Sequence, residues 1–244
     1  MIRMGPLFFI LFFSSLSHAR IFDLGKDKFG SYLIFSSSQS NLKETPFAGL
    51  TTANDFSDTY KVPLGGEFGF MYEDNKVGFR FGFEILKPSP TEGYAKLNNV
   101  TQYYYKDNIS ALVPKIAMEI NFISRPRYRL LGYGFLGQAN LVESTDYSAV
   151  AIAPNASHTV EAKGAATMSG GGVAFEFSAF DTTTLIFEVG YRQLKFPNMI
   201  YSKDVTTFAG AVTSGTSIKN ADGTDHQVDM TGAYAALGFR IFLF

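Results

Sequence analysis

The sequence predicts an all-β protein, an eight-stranded antiparallel up-and-down β-barrel that spans a membrane. Three observations favour this class. Large apolar residues alternate with polar, ionisable or glycine residues over many short segments, as in strands with one apolar and one polar face. The connections between these segments alternate between short and long. No segment after Ala19 has the ~18 consecutive apolar residues of a spanning helix, so a closed barrel is the remaining way to cross a bilayer.

Residues 1–19 have the form of a secretory signal peptide. Arg3 precedes an apolar run at residues 7–13, and Ser17-His18-Ala19 is typical of a signal-peptidase site, so cleavage is expected after Ala19. An uncleaved membrane anchor is the alternative, but the apolar run is far shorter than the ~20 residues of a spanning helix. Residues 20–244 are then predicted to form one barrel domain.

The composition excludes several classes of protein. The formal net charge of −1 at pH 7 offers no basic surface for nucleic acid. The absence of cysteine excludes a disulfide framework and thiolate metal sites. The 13 tyrosines and 25 phenylalanines make the chain rich in aromatic residues, although tryptophan is absent.

The alternation of apolar and polar residues predicts the strands along the chain. Residues 28–36 form a weak first strand with Tyr32 and Ile34 on its expected outer face, and residues 60–87 form a clear hairpin. A turn at Asp74-Asn75 sets a register in which Arg80 faces Gly69 and the apolar residues share one face. That register pairs Tyr72 with Val77, Phe70 with Phe79, Phe68 with Phe81, Leu64 with Ile85, and Glu84 with Gly65.

Five further segments repeat the pattern. Pro114 cannot donate to a ladder, so it is expected at the outer end of its strand or in a bulge. The apolar faces are Leu112, Ile116, Met118, Ile120 and Phe122; Leu131, Tyr133, Phe135, Ala139 and Leu141; Val173, Phe175 and Phe177; Leu185, Phe187, Val189 and Tyr191; and Ala233, Ala235, Leu237, Phe239, Ile241 and Leu243.

The connections predict the orientation. Short periplasmic turns and long extracellular loops are typical of membrane barrels, and both termini are then periplasmic. The predicted turns are residues 74–75, 123–127 and 181–183, and the predicted loops are residues 37–59, 88–102, 142–163 and 197–226. In the last loop, residues 205–208 and 211–213 favour β-structure and are expected to extend the final hairpin.

The final strand carries a family resemblance. Gly238, Ile241 and Leu243, followed by Phe244, resemble the C-terminal strand that the assembly machinery reads in bacterial outer-membrane β-barrels. The barrel segment as a whole resembles small eight-stranded barrels of the OmpA/OmpX type or the OmpW-like barrel domain. This resemblance implies Sec-type export to the outer membrane of a Gram-negative cell. It also implies partners among outer-membrane lipid, lipopolysaccharide and the barrel-assembly machinery.

The face opposite the apolar residues is ionisable. A soluble lipocalin-like barrel has its apolar face inside, so these charges argue against it and favour an interior lined by salt bridges, led by Arg80 with Glu67 and Glu84. A gated ion path is the alternative, and Glu176 and Glu188 on adjacent strands are expected close together. The predicted lumen residues are Glu67, Arg80, Glu84, Lys115, Glu119, Glu176, Glu188, Arg192 and Arg240.

No motif for catalysis, a metal or a cofactor occurs. His158 and His226 fall in or beside long loops, where solvated histidines are the rule, and the Ser/His pattern of lipid A deacylases is absent. The sequence therefore favours a non-enzymatic outer-membrane barrel with a plugged lumen, acting in envelope integrity or surface recognition through its loops. A narrow channel is the alternative, and a lipid-modifying enzyme is a third, less favoured one.

Overall fold

The structure, a computed structural model, describes residues 28–39, 55–56, 64–74, 76–149, 157–208, 210–220 and 223–243. The regular secondary structure of these residues is β throughout, and their strands pair antiparallel, so the predicted all-β class is confirmed. The expected signal peptide, Phe244 and most of the predicted first loop lie outside the described residues. Among those residues, no helix is long and apolar enough to cross a membrane.

The main sheet closes on itself. Each long strand pairs antiparallel with the next along the chain, and the last pairs with the first, which leaves no free edge in the ring. The long strands are β1 (Phe29–Ser38), β2 (Leu64–Asp74), β3 (Val77–Lys87), β4 (Val100–Arg125), β5 (Tyr128–Ala149), β6 (His158–Phe180), β7 (Thr183–Gln193) and β8 (Gly232–Phe242).

Shorter strands lie in the connections. Thr91–Leu97 folds back on β4 and pairs with it from Asp107 to Val100. Asp55–Phe56 adds to the outer edge of that hairpin, and Ile200–Tyr201 pairs with β6. The other short strands are Lys195–Phe196, Val205–Thr207, Gly210–Val212 and Val228–Asp229.

Strands β4, β5 and β6 are much longer than the sequence predicts. They have 26, 22 and 23 residues, about twice the ~9–11 of a tilted membrane strand. Much of the predicted loops at residues 88–102 and 142–163 is therefore strand. We call the extended part of the sheet, formed by Thr91–Leu97 and residues 100–110, 142–149 and 158–168, the extracellular sheet, after the side on which the sequence predicts these loops. The prediction was wrong here because it looked for strands with an apolar outer face. In this sheet the outer face mixes polar residues with exposed residues such as Tyr104, and Tyr103, Tyr105 and Tyr147 point inward.

The register of the β2–β3 hairpin differs from the prediction by two residues. Tyr72 pairs with Phe79 and Phe68 with Phe83, and the last pair before the turn is Asp74 with Val77. Arg80 consequently lies opposite Met71 rather than a glycine. Alternation with a period of two determines which face of the sheet a residue occupies. It does not distinguish between registers that differ by two residues.

Two strands have their faces inverted relative to the prediction. In β1, Tyr32 and Ile34 are buried while Leu33 and Phe35 are exposed; in β5, Leu131, Tyr133 and Phe135 are buried, and Leu130 and Leu136 are exposed. Both faces of these strands carry apolar residues, so hydropathy alone does not separate them. The tyrosines face inward because their hydroxyls find partners there: Tyr32 donates to Glu67 at 2.7 Å, and Tyr133 lies 2.7 Å from the hydroxyl of Tyr234.

Pro114 lies in the middle of β4, so its predicted place at a strand end or bulge is wrong. It pairs with Phe83 of β3, while the register with β5 passes from Leu112↔Asn140 to Lys115↔Gly137 without including it. The register is the same on both sides of this gap. The strand therefore accommodates proline by an interruption of its pairing with β5, without a bulge.

The outside of the ring is an apolar belt. Large side chains stand on the outer face of every strand, and the outward directions predicted for β2, β3, the belt part of β4, β6, β7 and β8 agree with the structure. The exposed belt residues include Phe35, Phe68, Phe70, Phe79, Phe81, Phe83, Ile116, Met118, Leu136, Val173, Phe187, Val189, Leu237 and Phe239. An apolar surface of this extent marks contact with a membrane or a partner.

The connection between β7 and β8 fills one mouth of the ring. We call its described residues, 194–208, 210–220 and 223–231, the cap. The Val205–Thr207 and Gly210–Val212 strands pair with each other rather than extending the final hairpin. The cap packs its buried apolar residues against the inner face of the extracellular sheet. These residues are Leu194, Phe196, Met199, Ile218, Val228 and Met230.

Candidate functional site

Every ionisable residue predicted to face the lumen is buried: Glu67, Arg80, Glu84, Lys115, Glu119, Glu176, Glu188, Arg192 and Arg240. They come from β2, β3, β4, β6, β7 and β8, so the interior of the ring brings together residues distant in sequence. Burial of this many ions requires near-complete pairing, because each unpaired ion costs several kcal/mol. Their partners form three layers along the lumen.

The layer nearest the short turns is built on two arginines. Arg240 Nη1 lies 3.0 Å from carboxylate oxygens of both Glu119 and Glu176. Arg129 Nε donates to Glu176 at 2.6 Å, and Arg129 also pairs with Glu73. Glu176 is thus held between two guanidinium groups, which stabilises it as a buried anion.

Arg80 forms the middle layer. Its guanidinium lies 2.8 Å from Glu119 and 2.7 Å from Glu188, and it covers the rings of Tyr32 and Tyr133 at 5.5 and 5.4 Å. The predicted pairing of Arg80 with Glu67 and Glu84 is therefore wrong. A long side chain reaches across the lumen, so its partners come from other strands and not from its own hairpin.

The third layer lies under the cap. Lys115 Nζ bridges Glu67 at 2.6 Å and Glu84 at 2.9 Å. Arg192 contacts Glu84 at 3.1 Å and donates to the Ser38 hydroxyl at 2.5 Å. Arg192 Nε also approaches the carbonyl of Met230 at 3.4 Å, which links the charged layers to the cap.

Glu176 and Glu188 do not form the close pair that adjacent strands suggested. Glu176 contacts Arg129 and Arg240, whereas Glu188 contacts Arg80. Each carboxylate has its own cation because Glu176 is opposite Ile186 in the register, which moves Glu188 one layer further along the lumen.

The sequence reasoning missed Glu73 and Arg129, both of which are buried in the network. Arg129 is in phase with Leu131 and Tyr133, the residues assigned to the outer face of β5. An arginine in phase with that face would lie in lipid at a high cost, and this conflict was the available sign that the face points inward.

A second buried polar cluster connects the cap to the extracellular sheet. His226 Nε2 lies 3.0 Å from Glu143, and His226 Nδ1 lies 3.1 Å from the side-chain oxygen of Asn220. Thr145 donates to Asp107 at 2.8 Å, next to Glu143. His226 is therefore a buried structural residue and not the solvated loop histidine that the sequence suggested.

His158 has an aromatic environment. Its ring stacks on Tyr147 at 5.1 Å and meets the edge of Phe208 at 4.6 Å. These contacts attach the tip of the cap to the extracellular sheet.

The predicted assembly signal divides between the two faces of β8. Gly238 faces inward, where a Cβ would lie 2.6 Å from the Ile34 side chain, and Ile241 and Leu243 are exposed on the belt. Phe244 lies outside the described residues. Recognition of this strand by the assembly machinery stays a prediction.

The closed cap is expected to respond to pH through Asp107, which lies above the belt. Burial, followed by the negative charge of Glu143, raises the pKa of the Asp107 carboxyl well above its usual range. In an open cap the carboxyl regains its ordinary pKa, so the closed form binds the proton more tightly. The contribution of Asp107 to the stability of the closed cap is therefore most favourable at acidic pH. It is lost as the pH rises through the raised pKa.

Hydrogen exchange measures this effect. The Ile218 amide donates to the Met199 carbonyl at 2.8 Å within the cap, so its protection factor, corrected for intrinsic exchange, reports closure. We expect that factor to fall with rising pH in the native chain and to fall less in Asp107→Asn, which keeps an acceptor for Thr145. The same pH slope in both proteins would contradict the assignment.

The chain is similar to several solved structures. The attachment invasion locus protein Ail of Yersinia pestis is 14% identical, with a TM-score of 0.43 over 88% of this chain and 99% of that one. A major outer membrane protein from Thermus thermophilus is 11% identical, with a TM-score of 0.48 over 87% and 99%. OprG from Pseudomonas aeruginosa is 12% identical, with a TM-score of 0.43 over 91% and 99%. These similar structures are small outer-membrane β-barrels. No protein-family model and no curated protein matches the chain.

Proposed function

We propose that this protein is a non-enzymatic, eight-stranded outer-membrane β-barrel with a closed lumen, which acts in surface recognition through its extracellular part. The observation that carries the proposal is the paired charge network, which crosses the lumen from Arg129 to Arg192 beneath an apolar cap. In a closed barrel, the outer sheet and the loops are available for binding, whereas a pore is not.

The belt supports membrane insertion. Its phenylalanine, leucine, isoleucine and valine side chains are exposed on all sides of the ring, and their transfer from water to lipid is favourable. The charged residues lie inside, where they avoid both lipid and an unpaired state. We infer that the end with the short turns faces the periplasm and that the extracellular sheet and the cap face the outside.

Closure of the lumen is supported by the geometry of the pairs. An ion that passed along the axis would have to separate Arg80 from Glu188 and Lys115 from Glu67, and then displace the cap. Separation of buried pairs costs several kcal/mol per ion. We therefore favour a plugged barrel over the narrow channel.

A catalytic role lacks support in the described residues. His226 is buried on the inner side of the cap against Glu143, and His158 is stacked among aromatic rings. Neither imidazole is presented to a lipid substrate on the belt.

Planar bilayer recording tests the proposal. We expect purified protein inserted into a bilayer to pass no steady current at moderate voltage, because the network and the cap obstruct the lumen in series. An Asp107→Asn variant, altered only beneath the cap, is expected to stay closed as well, because the network below it is intact. A reproducible open conductance that Arg80→Met changes would instead favour the channel.

A further inference from the structure

A groove lies on the outer face of the extracellular sheet, and its lining residues belong neither to the charge network nor to the cap. The groove has a volume of about 570 Å³, and its lining includes Glu92, Tyr94, Tyr104, Lys106 and Asp146. It faces away from the lumen and the cap. A ligand could therefore enter it while the barrel stays closed.

Strand register organises the groove into two rows. Tyr94 is opposite Tyr104, and Tyr104 is opposite Ser148, which makes an aromatic row. The next row along the same face is polar, and its members pair across four strands as Glu92, Lys106, Asp146 and Thr159.

The aromatic row is exposed although the same sheet buries its other tyrosines. Tyr103, Tyr105 and Tyr147 point inward and are almost fully buried, whereas Tyr104 is 51% exposed. Tyr104 meets Tyr94 edge to face at 6.4 Å, and the Lys96 ammonium lies 4.6 Å from the centre of the Tyr94 ring. The ring of Tyr104 is thus exposed and held in an ordered arrangement with Tyr94.

The polar row alternates acceptors and donors with little net charge. Lys106 Nζ contacts Glu92 at 2.5 Å, and Thr159 donates to Asp146 at 2.6 Å. Glu92, whose carboxylate already pairs with Lys106, is a poor ligand for a further metal ion. The two acids also disfavour a phosphate or sulfate polyanion, which would be repelled by them.

A pyranose ring matches this combination. One of its faces is a set of C–H groups that stack on an aromatic ring, and its edge is a row of hydroxyls that donate to carboxylates and accept from ammonium and hydroxyl groups. We propose that the groove binds a neutral saccharide, with Tyr104 under the sugar ring and Asp146 and Lys106 on its hydroxyl edge. This inference rests on the proposed function, because it needs the extracellular sheet outside the cell.

The test uses the full chain folded in detergent micelles and applied to an array of neutral, sialylated and sulfated oligosaccharides. We expect binding to neutral oligosaccharides, with at least a tenfold loss in Tyr104→Ala and in Asp146→Asn. Tyr191→Ala is the matched control, since Tyr191 is 50% exposed but lies on the belt, and it should bind like the native chain. Heat-modifiable gel mobility checks that each variant is folded.

Further results identify the source of the glycan or contradict the saccharide site. Competition by lipid-free core oligosaccharide from lipopolysaccharide would identify the cell's own surface glycan, and its failure to compete would identify a glycan from outside; both outcomes retain the saccharide site. Binding to sulfated glycans alone, or equal binding by the native chain and Tyr104→Ala, would overturn it. A barrel without conductance that binds no neutral glycan refutes this site alone, whereas steady conductance refutes the proposed function.

Discussion

We expect Arg240→Met to lower the free energy of unfolding by about 3–5 kcal/mol, the usual cost of removing one partner from a buried ionic group. Arg240 is fully buried and pairs with both Glu119 and Glu176. Methionine has a similar volume, so the loss comes from the two carboxylates rather than from a cavity. Arg80 and Arg129 each keep one contact with these carboxylates, which partly limits the loss.

Urea unfolding in lipid vesicles measures this free energy. The matched control is Lys203→Met, which removes an exposed ion pair with Glu161 that has an N–O distance of 2.6 Å. Exposed pairs contribute about 0–1 kcal/mol, so the control should unfold almost like the native chain. If the two variants had the same free energy of unfolding, the lumen network would not be a source of stability.

We expect Gly190→Ala to destabilise the barrel by about 1–3 kcal/mol, the usual cost of overpacking. A Cβ at Gly190 would lie 2.7 Å from the Tyr133 hydroxyl and 2.7 Å from the Gly171 carbonyl. The methyl group would displace the Tyr133 hydroxyl from its 2.7 Å contact with Tyr234 and disturb the ring beside Arg80.

The same unfolding measurement tests this prediction, with Gly66→Ala as the control. A Cβ at Gly66 meets nothing within 4 Å, so its effect should stay within about 0.5 kcal/mol. Tyr133→Phe removes the crowded hydroxyl, so Gly190→Ala should cost less in that background. Strictly additive effects of the two substitutions would show that the hydroxyl is not the obstacle.

Several features of the site were predictable because they depend on local pattern and on charge. Strands β2, β3, β7 and β8 each contain a run in which large apolar residues occupy every second position, and the positions between them include ions and glycine. Only one arrangement keeps the ions out of lipid, so the inward direction of Glu67, Arg80, Glu188 and Arg240 followed from the sequence.

The partners of those ions were not predictable. Arg80 contacts Glu119 of β4 and Glu188 of β7, and neither contact follows from its spacing in the chain. They depend on which strands face each other across the closed ring and on a register that period-two patterns leave open by two residues.

By itself, the sequence determined the all-β class, the apolar outer face and the charged interior of the clearest strands, because alternation is a local property and the cost of an ion in lipid is large. The tertiary structure alone decided the inward faces of β1 and β5, the extension of β4 to β6 into an extracellular sheet, and the burial of His226 between the cap and that sheet. In these places both faces carry apolar or aromatic residues, and the choice between them depends on partners such as Glu67, Tyr234 and Glu143, which distant parts of the chain supply.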